Sequence, residues 1–295
     1  MSARLESVLD ELLTARRMWD SEIGRRMLIE DTAPLDPNAP EEEWERAEAI
    51  LAAERGILDT PDVYYIEPDF HRLVLAAAEM FEPEPLLHSD LPSPSGYVRL
   101  PMGVYVPPWK EPEPGEEPYI TEHSAFGWST SAHEQGLLLC YFVTRDDIPQ
   151  VAHMGVYPSR YIGWVFESSE TYTKLVDPWH EGYRYPRVFF RLVMQRLTQV
   201  ETSAPPRAVR KRHARAGYEP GKLQVVRLRR PAARPAEDRA GKTVEWSQRW
   251  LVRGHWRQQW YPSIQAHRQI WISDFVKGPE DKELIIRPRV FDVAV

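Results

Sequence analysis

Residues 136–143 read GLLLCYFV, an apolar run without a charged side chain. A short apolar run followed by polar residues predicts a buried strand, which we place at Leu137–Thr144. The only cysteine of the chain, Cys140, lies inside this run, so the sequence excludes an internal disulfide and a cysteine-based zinc cluster. We therefore expect Cys140 to be a buried apolar side chain.

Extended segments flank this strand on both sides. Upstream, Tyr97–Val106 follows a turn rich in proline and serine and has the composition of a strand. Downstream, Val151–Tyr157 and Tyr161–Glu167 are strand-like and are joined by a short polar turn. Together with Leu137–Thr144 they predict an antiparallel meander, with residues 107–118, where prolines alternate with glutamates, as a solvated loop.

The N-terminal part of the chain predicts helices. Apolar residues recur every three or four positions over Leu5–Met27, which is typical of an amphipathic helix of roughly seven turns. A second helix follows Pro40, with three glutamates in its first turn, Trp44 facing inward and Gly56 able to end it. A third helix begins at Asp69, which is a good N-cap.

The C-terminal part has a different texture. After a fourth predicted helix at Val188–Val200, residues 203–242 become rich in proline, alanine and arginine, which indicates a linker or a flexible basic arm. We therefore predict an α+β protein with N-terminal helices, a central antiparallel sheet and a small C-terminal β unit, divided into residues 1–202, 203–242 and 243–295. The strands predicted in the last unit lie within Thr243–Arg253 and at Gln269–Ile272 and Leu284–Ile286.

The formal net charge of −7 conceals a strong asymmetry. Residues 1–150 carry 11 lysines and arginines against 30 aspartates and glutamates, a net charge of −19. Residues 151–295 carry 26 against 14, a net charge of +12. Such a distribution bears on partners and association and not on the fold. Either the basic half binds an external polyanion, or the two halves of the chain face each other.

No run of about 18 apolar residues occurs, and the first 20 residues alternate charged and apolar side chains instead of forming the apolar core of a secretory signal. We therefore expect a cytoplasmic protein with no membrane partner. The sequence has no phosphate-binding glycine loop, no dinucleotide-binding glycine motif and no nucleophile elbow. These absences argue against an ATPase, a nicotinamide dehydrogenase and an α/β-hydrolase, and we expect no cofactor.

Functional side chains are densest in residues 253–263, which read RGHWRQQWYPS, followed by His267 and Arg268. Arginine offers a planar fork for phosphate oxygens, and tryptophan and tyrosine offer faces on which bases stack. This combination predicts a partner that is RNA or DNA, bound with salt-dependent affinity. The predicted nucleic-acid-binding residues are Arg253, Trp256, Arg257, Trp260, Tyr261 and Arg268.

The same segment contains the parts of a metal-independent endoribonuclease. In that chemistry one group deprotonates the 2'-hydroxyl, another protonates the leaving oxygen, and cations stabilise the charge on the phosphorane. His255 and His267 are the candidate catalytic residues, because histidine transfers protons near neutral pH. An equally simple interpretation is a hairpin whose tryptophans and arginines stabilise only each other. The sequence leaves open whether the protein is an enzyme.

Residues 253–263, with 267–272 (HRQIWI) and 275–280 (FVKGPE), resemble the C-terminal signature of uncharacterised proteins that are abundant in actinobacteria and in their phages and mobile elements. Residues 90–97 (DLPSPSGY) are similar to the middle region of these proteins. The resemblance implies a mobile-element setting and carries no activity with it.

Two further groups of polar residues are candidate metal sites. Glu122–His123 and His133–Glu134 would supply two imidazoles and two carboxylates to zinc or manganese if the chain turned back between them, but no standard ligand spacing is present. Asp146 and Asp147 follow a core strand, where two-metal nucleases often place an acid. Strand ends at the surface and a solvated turn explain these residues more simply, so we predict no metal site.

The leading hypothesis from the sequence is a nucleic-acid-interacting protein of a mobile element or its host, with toxin-like endoribonuclease chemistry as an additional activity to test. The alternative is a non-enzymatic protein-interaction or inhibitory factor that acts through the acidic N-terminal half. Glu41–Glu43 and residues 111–117 supply the carboxylates for that role. In a third interpretation the acidic half covers the basic segment and regulates access to it.

Overall fold

The computed structural model describes residues 2–22, 38–59, 62–82, 86–105, 122–130, 137–144, 156–168, 171–174, 184–229, 249–252, 254–263, 265–277 and 284–285. None of the helices in these ranges is long and apolar enough to cross a membrane. The helices are α1 (Ser2–Asp20), α2 (Glu41–Leu58), α3 (Pro68–Glu79), α4 (Arg184–Val193) and α5 (Arg207–Arg215).

The main sheet has nine strands. They are β1 (Asp62–Ile66), β2 (Leu86–Leu87), β3 (Ser95–Tyr105), β4 (Glu122–Thr130), β5 (Leu137–Thr144), β6 (Val156–Ser168), β7 (Thr171–Lys174), β8 (Thr198–Ser203) and β9 (Lys222–Leu228). Their order across the sheet is β2-β7-β6-β5-β4-β3-β1-β9-β8. A short 3-10 helix at His88–Asp90 lies between β2 and β3.

The C-terminal part adds two small sheets. Its strands are β10 (Arg249–Val252), β11 (His255–Tyr261), β12 (Ala266–Ile272), β13 (Phe275–Lys277) and β14 (Leu284–Ile285). β10 pairs with β13 and β14, whereas β11 and β12 form an antiparallel hairpin.

These elements confirm the α+β fold, with helices at the N-terminus and a small C-terminal β unit. The sheet is mixed, whereas the sequence predicted an antiparallel one. β3 to β7 are antiparallel neighbours, but β1 pairs in parallel with both β3 and β9. Parallel neighbours require a crossover connection, and α3 lies in the connection between β1 and β3. Residues 156–168, predicted as parts of two strands, form the single strand β6.

β5 is apolar throughout because both faces of the sheet are covered. Successive side chains of a strand point to opposite faces, so the strand contributes alternately to two cores. Cys140 is fully buried, as predicted, and burial raises the pKa of its thiol. The first core contains Leu137, Leu139 and Tyr141, and the second contains Leu138, Cys140 and Phe142.

Helices cover both faces of the sheet. α3 and α4 contribute to the first core, whereas α1, α2 and α5 contribute to the second. Trp128 on β4 is fully buried in the first core, where its ring packs against Tyr64, Phe189 and Phe190. Its indole N–H donates to the Ser93 carbonyl at 2.8 Å. The sheet is therefore the middle of three layers.

Three helix boundaries differ from the sequence prediction. Gly56 lies inside α2 and does not end it. A Cβ at this position would come within 2.4 Å of Ser129 Oγ, so the glycine lets α2 approach β4 closely. α3 begins at Pro68, so Asp69 lies in its first turn and is not the N-cap. The predicted helix at Val188–Val200 is divided, since α4 ends at Val193 and β8 begins five residues later.

The segment predicted as a basic linker, residues 203–242, is folded as far as the structure describes it. The segment contains α5 and β9. Most of the apolar residues of the segment lie in β9, which pairs between β1 and β8. Val209 and Leu223 are buried in the second core and hold the segment to the sheet. Residues 230–242 lie outside the described residues, and the division of the chain into three units stays a prediction. The exposed basic residues of α5 are Arg207, Arg210, Lys211 and Arg215.

Ion pairs join the acidic and basic halves of the chain. Arg212 on α5 forms a bidentate contact with Asp10 on α1, with nitrogen–oxygen distances of 2.8 and 2.9 Å. Arg227 on β9 lies 3.8 Å from the Glu67 carboxylate. Part of the charge of each half is therefore neutralised inside the fold. This is the result expected if the acidic and basic halves of the chain face each other.

A buried arginine fastens α1 to two other segments. The guanidinium of Arg16 donates to the Leu58 carbonyl at 2.6 Å and to the Glu219 carbonyl at 2.8 Å. Only 2% of the side chain is exposed, and burial lowers the pKa of this group. These bonds connect α1 to the end of α2 and to the turn before β9, which are distant in the sequence.

The first core also contains a buried histidine. His71 on α3 is fully buried, and its Nδ1 lies 2.6 Å from the Tyr185 hydroxyl on α4. Burial, with a smaller contribution from Arg72, lowers the pKa of His71 from 6.5 to about 4. His71 is therefore neutral in the folded protein at physiological pH.

We expect the protein to lose stability as the pH falls from 7.5 to 5.5. The unfolded chain protonates His71 near pH 6.5, but the folded protein does so only near pH 4, so the unfolded state binds more protons in this interval. This group alone should lower the free energy of unfolding by roughly 1.4 kcal/mol.

Urea unfolding of the wild type and His71→Asn at both pH values measures this effect. The variant should lose about 1.4 kcal/mol less than the wild type over the interval. The buried His213, whose pKa burial also lowers, is present in both proteins and cancels from the difference. An identical pH dependence of the two proteins would contradict the assignment.

Candidate nucleic-acid interface

Most residues predicted to bind nucleic acid lie on the hairpin of β11 and β12. The strands pair from His255 opposite Ile272 to Tyr261 opposite Ala266. Gln265 has a φ of 50° and closes the turn between them. Because directly opposed residues share a face and neighbours alternate, the hairpin has two faces. We define the inner face as Trp256, Gln258, Trp260, His267, Gln269 and Trp271, and the cationic face as His255, Arg257, Gln259, Tyr261, Arg268 and Ile270.

The inner face fastens the hairpin to the first core through Trp256. Its indole N–H donates to the Ala77 carbonyl at 2.9 Å. Its ring packs against Phe81 and Trp271, with centroid distances of 5.3 and 5.4 Å. The sequence predicted Trp256 as a base-stacking residue, but the structure gives its ring protein partners.

Two further contacts hold the inner face in place. Gln269 is buried and its side-chain amide donates to the Glu82 carbonyl at 3.0 Å. Trp271 is 5% exposed, and a Cβ at Gly254 would come within 2.5 Å of its ring. Only glycine fits at position 254 without displacing this tryptophan.

A buried carboxylate holds the cationic face. Asp90 Oδ1 accepts hydrogen bonds from Arg191 Nη1 on α4 at 2.9 Å and from Arg268 Nη1 on β12 at 2.5 Å. The Asp90 side chain is 2% exposed, and those of Arg191 and Arg268 are 10% and 20% exposed. Charge-assisted bonds of this kind are stronger than neutral ones. Asp90 therefore joins the hairpin to α4, and this group carries a net charge of +1.

The cationic face carries three of the predicted contact residues, Arg257, Tyr261 and Arg268. Arg257 is exposed, and its guanidinium donates to Gln259 Oε1 at 2.8 Å. Tyr261 is 37% exposed. Counted with Arg191 and Asp90, these side chains give the face and its border a net charge of +2. This arrangement offers a phosphate-binding cation beside an aromatic ring.

Trp260 and His267 form a separate pair on the inner face, near the turn. Their ring centroids lie 5.0 Å apart, and 45% of Trp260 is exposed. Both were predicted as site residues, Trp260 for stacking and His267 for proton transfer. The structure places them on the opposite face from Arg257, Tyr261 and Arg268.

The hairpin does not bring the two candidate catalytic histidines together. His255 is on the cationic face at the open end, and His267 is on the inner face opposite Trp260. Their register positions are five apart, which corresponds to roughly 17 Å along the strands. General acid–base cleavage requires both groups within hydrogen-bonding reach of one phosphodiester. This hairpin therefore does not form the predicted acid–base pair.

Most of the remaining candidate residues lie outside the part of the chain that the structure describes. Arg253, His133–Glu134 and the aspartates at 146–147 lie outside the described residues. His123 is buried on β4, where its ring packs against Tyr141 at an interplanar angle of 60°. Among the described residues, no three histidines, cysteines or carboxylates are grouped in a way that would hold a metal ion.

Sequence reasoning missed Asp90 and Arg191 as parts of this site. Asp90 was noted only as the first residue of the segment 90–97 that takes part in the resemblance. Its partners lie 101 and 178 residues further along the chain, so no local pattern indicates the contact. The excess of arginine in the basic half is the only sequence signal for a pairing of this type.

No family model matches the chain, and no curated protein matches it significantly. Among solved structures, one described as the crystal structure of AcrVA2 is similar, with a TM-score of 0.39 and 12% sequence identity. The alignment covers 92% of this chain and 97% of that chain. A likeness at this TM-score does not bear on function.

We expect Asp90→Asn to destabilise the protein. The substitution removes the carboxylate that pairs with two largely buried guanidinium groups, and breaking a buried ion pair from one side typically costs about 3 kcal/mol or more. The matched control is Asp69→Asn, because Asp69 pairs with Arg72 at the surface and is 72% exposed. The control should cost less than about 1 kcal/mol. Urea unfolding at pH 7 compares the two variants, and equal destabilisation would contradict the role of Asp90.

Proposed function

We propose that the protein binds single-stranded nucleic acid through the cationic face of the hairpin. The observation that carries this proposal is the grouping of Arg257, Tyr261 and Arg268 on one face of one hairpin. Arginines contact the phosphates, and an exposed tyrosine ring offers a surface for an unpaired base. Stacking of this kind is available to single strands, because the bases of a duplex already stack on each other.

Rigid support of the hairpin favours this function. Asp90 fixes Arg268, and Trp256 fixes the opposite face of the same hairpin. A contact surface that is ordered before the ligand arrives loses less conformational entropy on binding. The interior contacts of the hairpin and the exposed contacts of its cationic face thus have separate roles.

The proposed activity is binding without histidine-dependent cleavage. His255 and His267 lie on opposite faces of the hairpin, so one phosphodiester does not reach both. We therefore expect a bound RNA to remain intact in the wild type, and His255→Ala to leave its integrity unchanged. The C-terminal resemblance to actinobacterial and phage proteins adds a mobile element or its host as the proposed setting.

A second candidate function is supported by the start of α2. Glu41, Glu42, Glu43 and Glu45 are exposed around Trp44, which is itself 37% exposed. The sequence prediction that Trp44 faces inward is wrong. An exposed tryptophan in an acidic helix turn suits a basic protein partner, because aromatic residues are enriched in interface cores. This would be the non-enzymatic, acidic-surface alternative.

We expect Arg257→Glu to weaken binding of a single-stranded 12-mer at least tenfold at low salt. The substitution removes a phosphate contact and adds repulsion, and it should reduce the salt dependence of the affinity by about one phosphate contact. Tyr261→Ala should cost roughly tenfold through lost stacking. Fluorescence anisotropy with RNA and DNA 12-mers at two salt concentrations measures these effects.

Two control variants locate the surface. Arg210→Glu makes the same charge change on α5, which contributes to the other core, and should reduce affinity less than threefold. Trp260→Ala removes an exposed ring from the inner face and should also have a small effect. If either control variant lost more affinity for the 12-mers than Arg257→Glu, the strand would contact a different surface. Absence of binding by the wild type would favour the surface around Trp44.

A further inference from the structure

A cavity of about 290 Å³ borders the cationic face of the hairpin. Phe190 on α4 and Met194 directly after α4 line it on one side, and Tyr261 and Ile270 line it on the hairpin side. Small-molecule sites commonly range from roughly 300 to 1,000 Å³, so this cavity is at the small end of that range. Its volume suits one nucleotide and excludes a duplex.

Polar and charged groups complete the lining. Arg191 and Arg268 reach the cavity with the Asp90 carboxylate between them, and Ser89 and Ser263 add hydroxyl groups. The described hydrogen bond of Arg268 uses Nη1, and its Nη2 and Nε have no partner among the residues that the structure describes. The cavity therefore combines apolar and aromatic walls with a guanidinium that retains donors and a net charge of +1.

This combination fits a nucleoside monophosphate. The aromatic and aliphatic side chains contact the base and sugar, while Arg268 and the serine hydroxyls bind the phosphate oxygens. A terminal phosphate monoester carries nearly two negative charges at neutral pH, compared with one for an internal diester. A positively charged cavity with room for one nucleotide thus favours a phosphorylated strand end over an internal position.

We propose that this cavity binds the phosphorylated terminal nucleotide of a single strand, which deepens and rests on the proposed function. The remainder of the strand lies along the cationic face, past Tyr261 and Arg257. Terminal phosphate recognition is then a second determinant of affinity, distinct from the general contact with the strand.

The test uses the full chain and three single-stranded 12-mers of one sequence, with a 5'-phosphate, a 3'-phosphate or neither. Adenosine monophosphate, adenosine and inorganic phosphate are titrated separately by calorimetry. One of the phosphorylated strands should bind at least tenfold more tightly than the unphosphorylated strand. Adenosine monophosphate should bind more tightly than adenosine or inorganic phosphate alone.

Arg268→Lys is the informative variant because lysine keeps the ion pair with Asp90 and removes the guanidinium fork. It should reduce the preference for the phosphorylated strand to less than threefold, because the affinity for the phosphorylated strand falls more than the affinity for the unphosphorylated strand. Ser263→Ala in the exposed turn should reduce the preference in the same direction. Arg215→Lys, at an exposed position of α5, is the matched control and should preserve it.

The outcomes separate the two proposals. Equal affinity for all three strands would overturn the cavity assignment and leave the proposed function standing. Binding of adenosine monophosphate, lost in Arg268→Lys, without binding of any strand would show a mononucleotide site in the cavity and overturn both the strand-end assignment and the proposed function. Absence of every interaction would overturn both.

Discussion

Burial of both faces of β5 is the constraint on which the rest of the structure depends. A strand whose side chains are apolar on both sides requires a covering layer on each side, and helices provide both. α3 and α4 cover the face to which the hairpin binds, since Trp271 is part of the same core and Trp256 packs against it. The position of the candidate site therefore follows from the way the first core is closed.

The charge asymmetry of the sequence has a structural explanation with two parts. Several basic-half arginines pair with acidic-half carboxylates, as Arg212 does with Asp10 and Arg227 with Glu67. Such pairs connect segments that are distant along the chain. They also leave the paired arginines less able to attract an external polyanion. Among the described residues, exposed cations remain on α5, on the cationic face of the hairpin and at other surface positions. Because some of the arginines are paired, the net charge of the basic half overstates its capacity for nucleic acid.

The sequence predicted the features that depend on local patterns. β5 was predicted with its observed bounds, because an apolar run of that length is a local signal. β1 and β9 were missed, since they are short strands whose parallel pairing depends on distant partners. The segment containing α5 and β9 was predicted as a linker because arginine and proline dominate its composition, while Val209 and Leu223 are enough to bury it. At the site, residue types were predictable, but the division of the hairpin into two faces required the register.

The central claim is that the cationic face of the hairpin is where a single strand lies. Ultraviolet cross-linking of the wild-type protein to a single-stranded RNA, followed by mass spectrometry of the linked peptides, tests it most directly. We expect Tyr261 to be the principal cross-linked residue and the other cross-links to fall within residues 254–277. Cross-links confined to α5 or to the start of α2, or to Trp260 without Tyr261, would contradict it.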